Sequence, residues 1–215
     1  MTNDIRDLDV FFENVASYSE QLSDEQIEIL TKSITPYKKQ WDKEYKKLQK
    51  FLQSAKFSKT VQIFSTIFEE KKYTLLSLEP ANIKASHELL KIYEKILLKA
   101  SLIDKNSSAL EYHSLRIAFK KFRYLLELFE SVYDEAIFEE MMSRLKTIQK
   151  ILGLHQDRAI QIKLLQNLHE NKKNGVLESY LEHLQKEQQE LKVAFKEAKN
   201  AILDESYKSE LLLSF

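Results

Sequence analysis

Apolar residues recur at every third or fourth position along almost the whole chain, and no segment alternates regularly between apolar and polar residues. This spacing places apolar side chains on one face of an α-helix, whereas a half-buried β-strand requires alternation. The pattern predicts eight helices, over residues of about 7–18, 23–53, 57–76, 83–103, 108–127, 134–152, 156–170 and 177–203. The sequence therefore predicts an all-α fold, a bundle of long helices.

Several helix ends carry their own signals. Ser23-Asp-Glu-Gln26 and Ser108-Ala-Leu-Glu111 have the form of capping boxes, which satisfy the free N–H groups at a helix start. Pro36 predicts a kink or a break in the second helix, because proline has no N–H to donate. Gly153 predicts a helix end, since glycine accepts the left-handed conformation that often follows a helix. Asn174-Gly175 predicts a turn.

Composition agrees with this fold. The chain has 215 residues, with two Gly, two Pro and no Cys, and 43% of it is hydrophobic, which is enough for a substantial core. The absence of Cys excludes disulfides and thiolate metal sites and fits a reducing compartment. No signal peptide and no apolar run near the roughly 18 residues of a membrane span occur. We therefore expect a cytoplasmic protein without membrane association.

The formal net charge is zero, yet the charges are segregated along the chain. Residues 1–35 carry eight acidic residues against two basic ones, and residues 36–50 carry six Lys against two acids. Between Glu111 and Glu127 there are four basic residues and no acid. Attraction to an anionic partner is therefore expected locally and not for the protein as a whole.

One predicted helix carries the most informative pattern, a set of residues that we call the arginine strip. At about 100° per residue, His113, Arg116, Lys120 and Arg123 fall within an arc of roughly 80°. Arginine binds phosphate oxygens in pairs, and the strip holds two of only five Arg in the chain. A cationic strip without carboxylates repels itself, so we expect a phosphate-rich polyanion as partner. The alternative is an ordinary solvated face, which Glu127 favours because it can pair with Arg123 one turn away.

A second set, the lysine strip, lies on the second predicted helix. Lys39, Lys43, Lys46 and Lys50 fall within about 60° of one another on a helical wheel. The strip contains no Arg and Asp42 flanks it, so a solvated face is again the alternative. If both strips face one groove, seven cations and one histidine line it.

No sequence feature predicts catalysis. There is no nucleophile elbow, P-loop or dinucleotide fingerprint, and the five histidines lack the paired spacing of a zinc site. A metal shared by His113 and His155 is conceivable, although a hydrogen-bonded or solvated histidine is far more common. Asp7, Asp9 and Asp157 lie at predicted helix starts, where capping explains them. We expect no enzyme activity, no metal and no cofactor.

The helix motif His113-x-x-Arg116-x-x-x-Lys120-x-x-Arg123-Tyr124-x-x-Glu127-x-Phe129 resembles the signature of the CHAD domains, the conserved-histidine α-helical domains. The segment Leu145-x-x-Ile148-Gln149-x-x-Leu152-Gly153-x-x-x-Asp157 is similar to a conserved Leu-Gln, Leu-Gly and Asp segment of that family. The N-terminal Arg6-Asp7-Leu8-Asp9-Val10 resembles the equivalent stretch in the family's first repeat.

This resemblance implies two four-helix repeats related by a pseudo-twofold axis, with a basic pore or groove between them. It also implies non-catalytic binding of inorganic polyphosphate. By position, the arginine strip inherits the binding role, and the lysine strip falls where the first repeat's last helix is expected, so it contributes as well.

The first repeat is expected to be incomplete. A full member carries a histidine-and-arginine helix in each repeat, whereas this chain has one, and Thr2-Asn3 stands in place of a Leu-Gly pair. The missing part lies upstream, is lost, or comes from a partner chain. We expect an incomplete first repeat at 1–80, a complete second repeat at 81–205 and a tail at 206–215. The apolar face left exposed predicts a homodimer.

The leading hypothesis is a non-catalytic module that binds inorganic polyphosphate, or another phosphate-rich polyanion, in a basic groove between helices. Such binding weakens with salt. Weak nucleic-acid binding is compatible with the same charges, although Tyr124 is the one evident side chain for base stacking. The alternative is a helical scaffold or adaptor that acts through protein contacts and has weakened or lost polyphosphate binding.

Overall fold

The computed structural model describes residues 2–69, 80–104, 106–171 and 174–212, and almost all of these residues are helical. Within these ranges there is no β-strand, so the predicted all-α fold is confirmed. A short 3-10 turn at Glu130–Val132 separates two of the helices. The α-helices are α1 (Thr2–Ser19), α2 (Asp24–Leu52), α3 (Ala55–Glu69), α4 (Ala81–Leu102), α5 (Ala109–Leu128), α6 (Glu135–Asn171), α7 (Gly175–Ala198), α8 (Asn200–Leu203) and α9 (Glu205–Leu212).

The chain divides into two compact units. Unit 1 comprises residues 1–73 and 160–185, and unit 2 comprises residues 74–159 and 186–215. The long helices α6 and α7 each contribute residues to both units. The units therefore do not follow the boundaries expected at 81 and 206, which concern the repeats of a family and stay a prediction.

Unit 1 is held by the apolar faces of α1, α2, the end of α6 and the beginning of α7. Phe11 is fully buried against the edge of the Tyr37 ring. The Tyr37 hydroxyl donates a hydrogen bond to the carbonyl of Leu164, at 2.9 Å. Tyr18 stacks on Tyr180 with ring centroids 4.1 Å apart. Aromatic rings with polar tips thus join segments that are far apart in the sequence.

Unit 2 is built around α4, α5 and the first part of α6. Tyr93 of α4 is buried beside Phe122 of α5, and its hydroxyl donates to the carbonyl of Ile202 at 2.7 Å. Tyr207 and Leu211 of α9 are also fully buried in this core. Of the segment 206–215, which was expected to be a tail, Tyr207 and Leu211 thus lie in this core. In the sequence, the four-residue spacing of Tyr207 and Leu211 is the pattern that indicates this packing.

Both predicted capping boxes are present. Ser23 accepts from the backbone N–H of Gln26, whose side chain accepts from the N–H of Ser23. Ser108 and Glu111 make the same reciprocal pair at the start of α5. Asn174 begins α7 in a related way, because its side chain accepts from the N–H of Leu177 at 2.8 Å.

The predicted helix end at Gly153 is wrong. Gly153 lies inside α6, which continues from Glu135 to Asn171 and joins the two helices expected at 134–152 and 156–170. A terminating glycine needs a positive φ, and Gly153 does not have one. Pro36 likewise lies inside the continuous helix α2 and does not break it.

Other predicted ends need smaller corrections. α1 begins at Thr2 instead of residue 7, and the final predicted helix, at about 177–203, is divided between α7 and α8. The end of α3, predicted near residue 76, lies outside the described residues. No described helix is both long and apolar enough to cross a lipid bilayer.

Candidate functional site

Helix α5 holds the arginine strip at the edge of the unit 2 core. The side chains of Leu115, Phe119 and Phe122 are fully buried, and they fix the rotation of the helix about its own axis. The strip lies beside this buried face, so its side chains are partly covered instead of standing free in solvent. All four of its members are half-buried: His113, Arg116, Lys120 and Arg123.

One cation of the strip has partners within its own helix. The Nε atom of Arg123 lies 3.6 Å from Oε1 of Glu127, and its guanidinium lies 5.0 Å from the centre of the Tyr124 ring. This is the pairing that the solvated-face alternative predicts. Arg116 and Lys120 differ, because neither forms an ion pair with any residue that the structure describes. These two charges remain available to an external anion.

Helix α6 runs beside α5 and touches the strip. Oε1 of Gln156 lies 3.0 Å from Nδ1 of His113, so the ring nitrogen donates to the amide oxygen. Further along, Nε2 of Gln149 donates to the carbonyl of Phe119 at 2.7 Å. Nothing in the sequence indicates the pairing of His113 with Gln156, because 43 positions separate the two residues. Gln156 thereby sets the orientation of the imidazole in the strip.

The lysine strip lies on α2 in unit 1, and all four of its side chains are exposed. Lys39, Lys43, Lys46 and Lys50 border an open surface depression of about 450 Å³. The opposite side of this helix is anchored by Trp41, whose ring N–H donates to the carboxylate of Asp9 at 2.7 Å. All the lysines of this strip come from one helix, so the depression is a helix surface and not a groove between elements.

The aspartates expected as helix caps lie inside helices instead. Asp7 and Asp9 lie within α1 and Asp157 lies within α6, because both helices extend beyond their predicted starts. Asp9 instead joins α1 to α2 through Trp41. Capping is therefore the wrong explanation for these residues.

His155 is fully buried, whereas His113 is only half-buried. The ring of His155 is 1% exposed and stacks on Tyr112 at 4.2 Å. Burial, and secondarily the positive charge of Lys192, lowers the pKa of His155 from 6.5 to about 4. Burial also raises the pKa of Tyr112. Among the described residues no group of three His, Cys, Asp or Glu is placed to hold a metal ion.

The family model of the CHAD domain matches residues 1–166, a range that includes both strips and the contact of α5 with α6. No curated protein matches the chain.

Proposed function

The chain belongs to the CHAD domain family, and on this premise we propose that it binds inorganic polyphosphate without catalysing a reaction. The observation that carries the proposal is that two cations of the arginine strip are left without an acidic partner in the part of the chain that the structure describes. Arg116 and Lys120 are half-buried and have no acidic partner among the described residues. Partly desolvated cations gain most from an anion that supplies charge and hydrogen-bond acceptors together.

The chemistry of the strip suits a linear phosphate polymer. The guanidinium of Arg116 can hold two oxygens of one phosphate, and Lys120, one helical turn further on, can reach a neighbouring phosphate as a mobile point charge. A repeating anion can use both at once. A basic groove formed with a second helix, and an additional role for the lysine strip, are parts of this proposal.

Calorimetric titration with long-chain polyphosphate across a salt series tests the proposal. The native chain is compared with Arg116→Ala/Lys120→Ala/Arg123→Ala. A matched control, Lys91→Ala/Lys95→Ala/Lys121→Ala, removes the same charge from exposed positions in the same unit. Each phosphate contact contributes about −0.7 to the slope of log K against log salt for a single-stranded polyanion, so the strip variant should lose a slope of about 2.

The outcomes separate three interpretations. Loss of binding in the strip variant, with binding retained by the control, supports the site on α5. Equal binding by all three proteins moves the site elsewhere, and Lys39→Ala/Lys43→Ala/Lys46→Ala/Lys50→Ala then tests α2. Absence of binding by the folded native chain at low salt refutes the polyphosphate proposal.

Selectivity and catalysis are tested with the same samples. We expect single-stranded RNA to compete weakly, because it shares the phosphates but Tyr124 alone could stack on its bases. We expect no phosphate release from polyphosphate on prolonged incubation, with or without divalent cations. A cytoplasmic setting, which the lack of cysteine fits, belongs to the same proposal.

A second candidate function, a scaffold that acts through protein contacts, is favoured by α3. The side chains of Val61, Ile63 and Phe64 are about half exposed, and no described side chain of this helix is buried. Exposed apolar surface of this kind favours association. We propose that the chain forms a homodimer, which sedimentation equilibrium measures. Ile63→Ser/Phe64→Ser should shift the population to monomer, and a monomeric native chain at micromolar concentration would contradict the idea.

A further inference from the structure

Gly153 occupies a position where neither the backbone nor the packing requires glycine. It lies in the middle of α6 without a positive φ. A Cβ atom added to it would meet no heavy atom within 4 Å beyond the adjoining backbone of its own helix. Glycine is less favourable than alanine in a helix interior, so the chain loses stability here without a gain in packing.

The surroundings of Gly153 show which space it leaves open. Gln149 precedes it and Gln156 follows it on α6, and both bond to α5, at Phe119 and His113. The numbering rises along α6 as it falls along α5, so the two helices run in opposite directions. Gly153 therefore lies between the two contacts, level with the part of α5 that carries the arginine strip.

The rotation of α6 places Gly153 on the open side of this contact. On a helical wheel it lies about 40° from Gln149 and about 60° from Gln156, on the side away from the buried Leu152. The amide nitrogen of Gln156 has no hydrogen-bond partner among the described residues, and it is not fully buried. It is therefore free to donate a hydrogen bond to an anion bound beside this contact.

We propose that Gly153 provides clearance for the bound phosphate chain. The chain would lie between the arginine strip and α6, with one phosphate passing over Gly153 beside Arg116 and accepting a hydrogen bond from Gln156. This inference rests on the proposed function and makes α6 the second wall of the site. A side chain at position 153 would occupy the space that the phosphate needs.

The two glycines of the chain provide a matched test. Gly175, the first residue of α7, also has nothing within 4 Å of an added Cβ. Gly153→Ala, Gly153→Gln, Gly175→Ala and Gly175→Gln add no charge, so electrostatic effects are the same in all four. Polyphosphate affinity is measured by calorimetry at fixed salt, and Tm by scanning calorimetry.

At position 153 we expect substitutions to raise Tm and to lower the affinity for polyphosphate. Gly153→Ala should raise Tm by about 2–4 °C, since alanine favours the helix. Gly153→Gln should weaken polyphosphate binding by about tenfold or more, because it displaces at least one charge-assisted contact. Both Gly175 variants should bind as the native chain does.

The possible failures are distinguishable. If the native chain binds polyphosphate and Gly153→Gln binds equally well, the clearance role is wrong while the proposed function stands. If both positions lower affinity equally, the effect is not specific to the groove and the inference is overturned. If the native chain does not bind at low salt, the proposed function fails and the role of Gly153 fails with it.

Discussion

We expect a buried histidine to make the free energy of unfolding of this protein depend on pH. His155 is 1% exposed, and neither of its ring nitrogens has a hydrogen-bond partner among the described residues. Burial is the main cause that lowers its pKa from 6.5 to about 4. Replacing His155 by Phe keeps a ring of similar size against Tyr112 and removes the titrating group.

The sign of the effect follows from which state binds the proton. Between pH 6.5 and about 4 the unfolded chain protonates His155 and the folded protein does not. The unfolded state therefore binds more protons, and the free energy of unfolding falls as the pH falls through this window. The full difference corresponds to about 3 kcal/mol, of which about 2 kcal/mol is lost between pH 7 and pH 5.

Urea unfolding followed by circular dichroism at pH 7 and pH 5 measures this loss. The native chain should lose about 2 kcal/mol more than His155→Phe does. A control, His87→Gln, replaces a histidine whose side chain is 72% exposed and should behave as the native chain. An equal loss of stability in the native chain and in His155→Phe would refute the assignment to His155.

Three further predictions concern the helix start, the strip and the core. Ser108→Ala removes half of a capping box and should lower the free energy of unfolding by about 1 kcal/mol, measured by urea titration. Glu127→Gln releases Arg123 from its carboxylate and should strengthen polyphosphate binding by about threefold in calorimetry, whereas unchanged or weaker binding would show that the pair does not compete with the ligand. Tyr93→Phe leaves the carbonyl of Ile202 without its buried donor and should cost about 1–2 kcal/mol; a smaller cost would mean that water replaces the hydroxyl.

The parts of the fold that depend on local signals were predicted from the sequence. The start of α5 follows from the Ser108 capping box, and its buried face follows from apolar residues at helical spacing. The arginine strip was found in the same way, because side chains on one helix share a face whatever surrounds them. The pairing of Arg123 with Glu127 was predicted as well, because the two residues are one helical turn apart.

The parts that depend on distant contacts were not predicted. The local preference of Gly153 favours a helix end, but contacts on both sides of it, by Gln149 and Gln156, hold α6 against α5. Helix propensity is a weak preference that such contacts override. The division of α6 between two units cannot be predicted from the sequence either, because the order of residues along the chain does not show which of them pack together.

The arginine strip also shows why net charge is a poor guide to whether a chain can bind an anion. The chain has equal numbers of acidic and basic residues, and charges in solvent are screened within about 8–10 Å at physiological salt. A polyanion near the surface therefore responds to the few side chains that it contacts. On α5 the deciding difference is between Arg123, which already faces Glu127, and Arg116, which has no acidic partner among the described residues. The charge that matters for binding is the charge that the fold leaves uncompensated at contact distance.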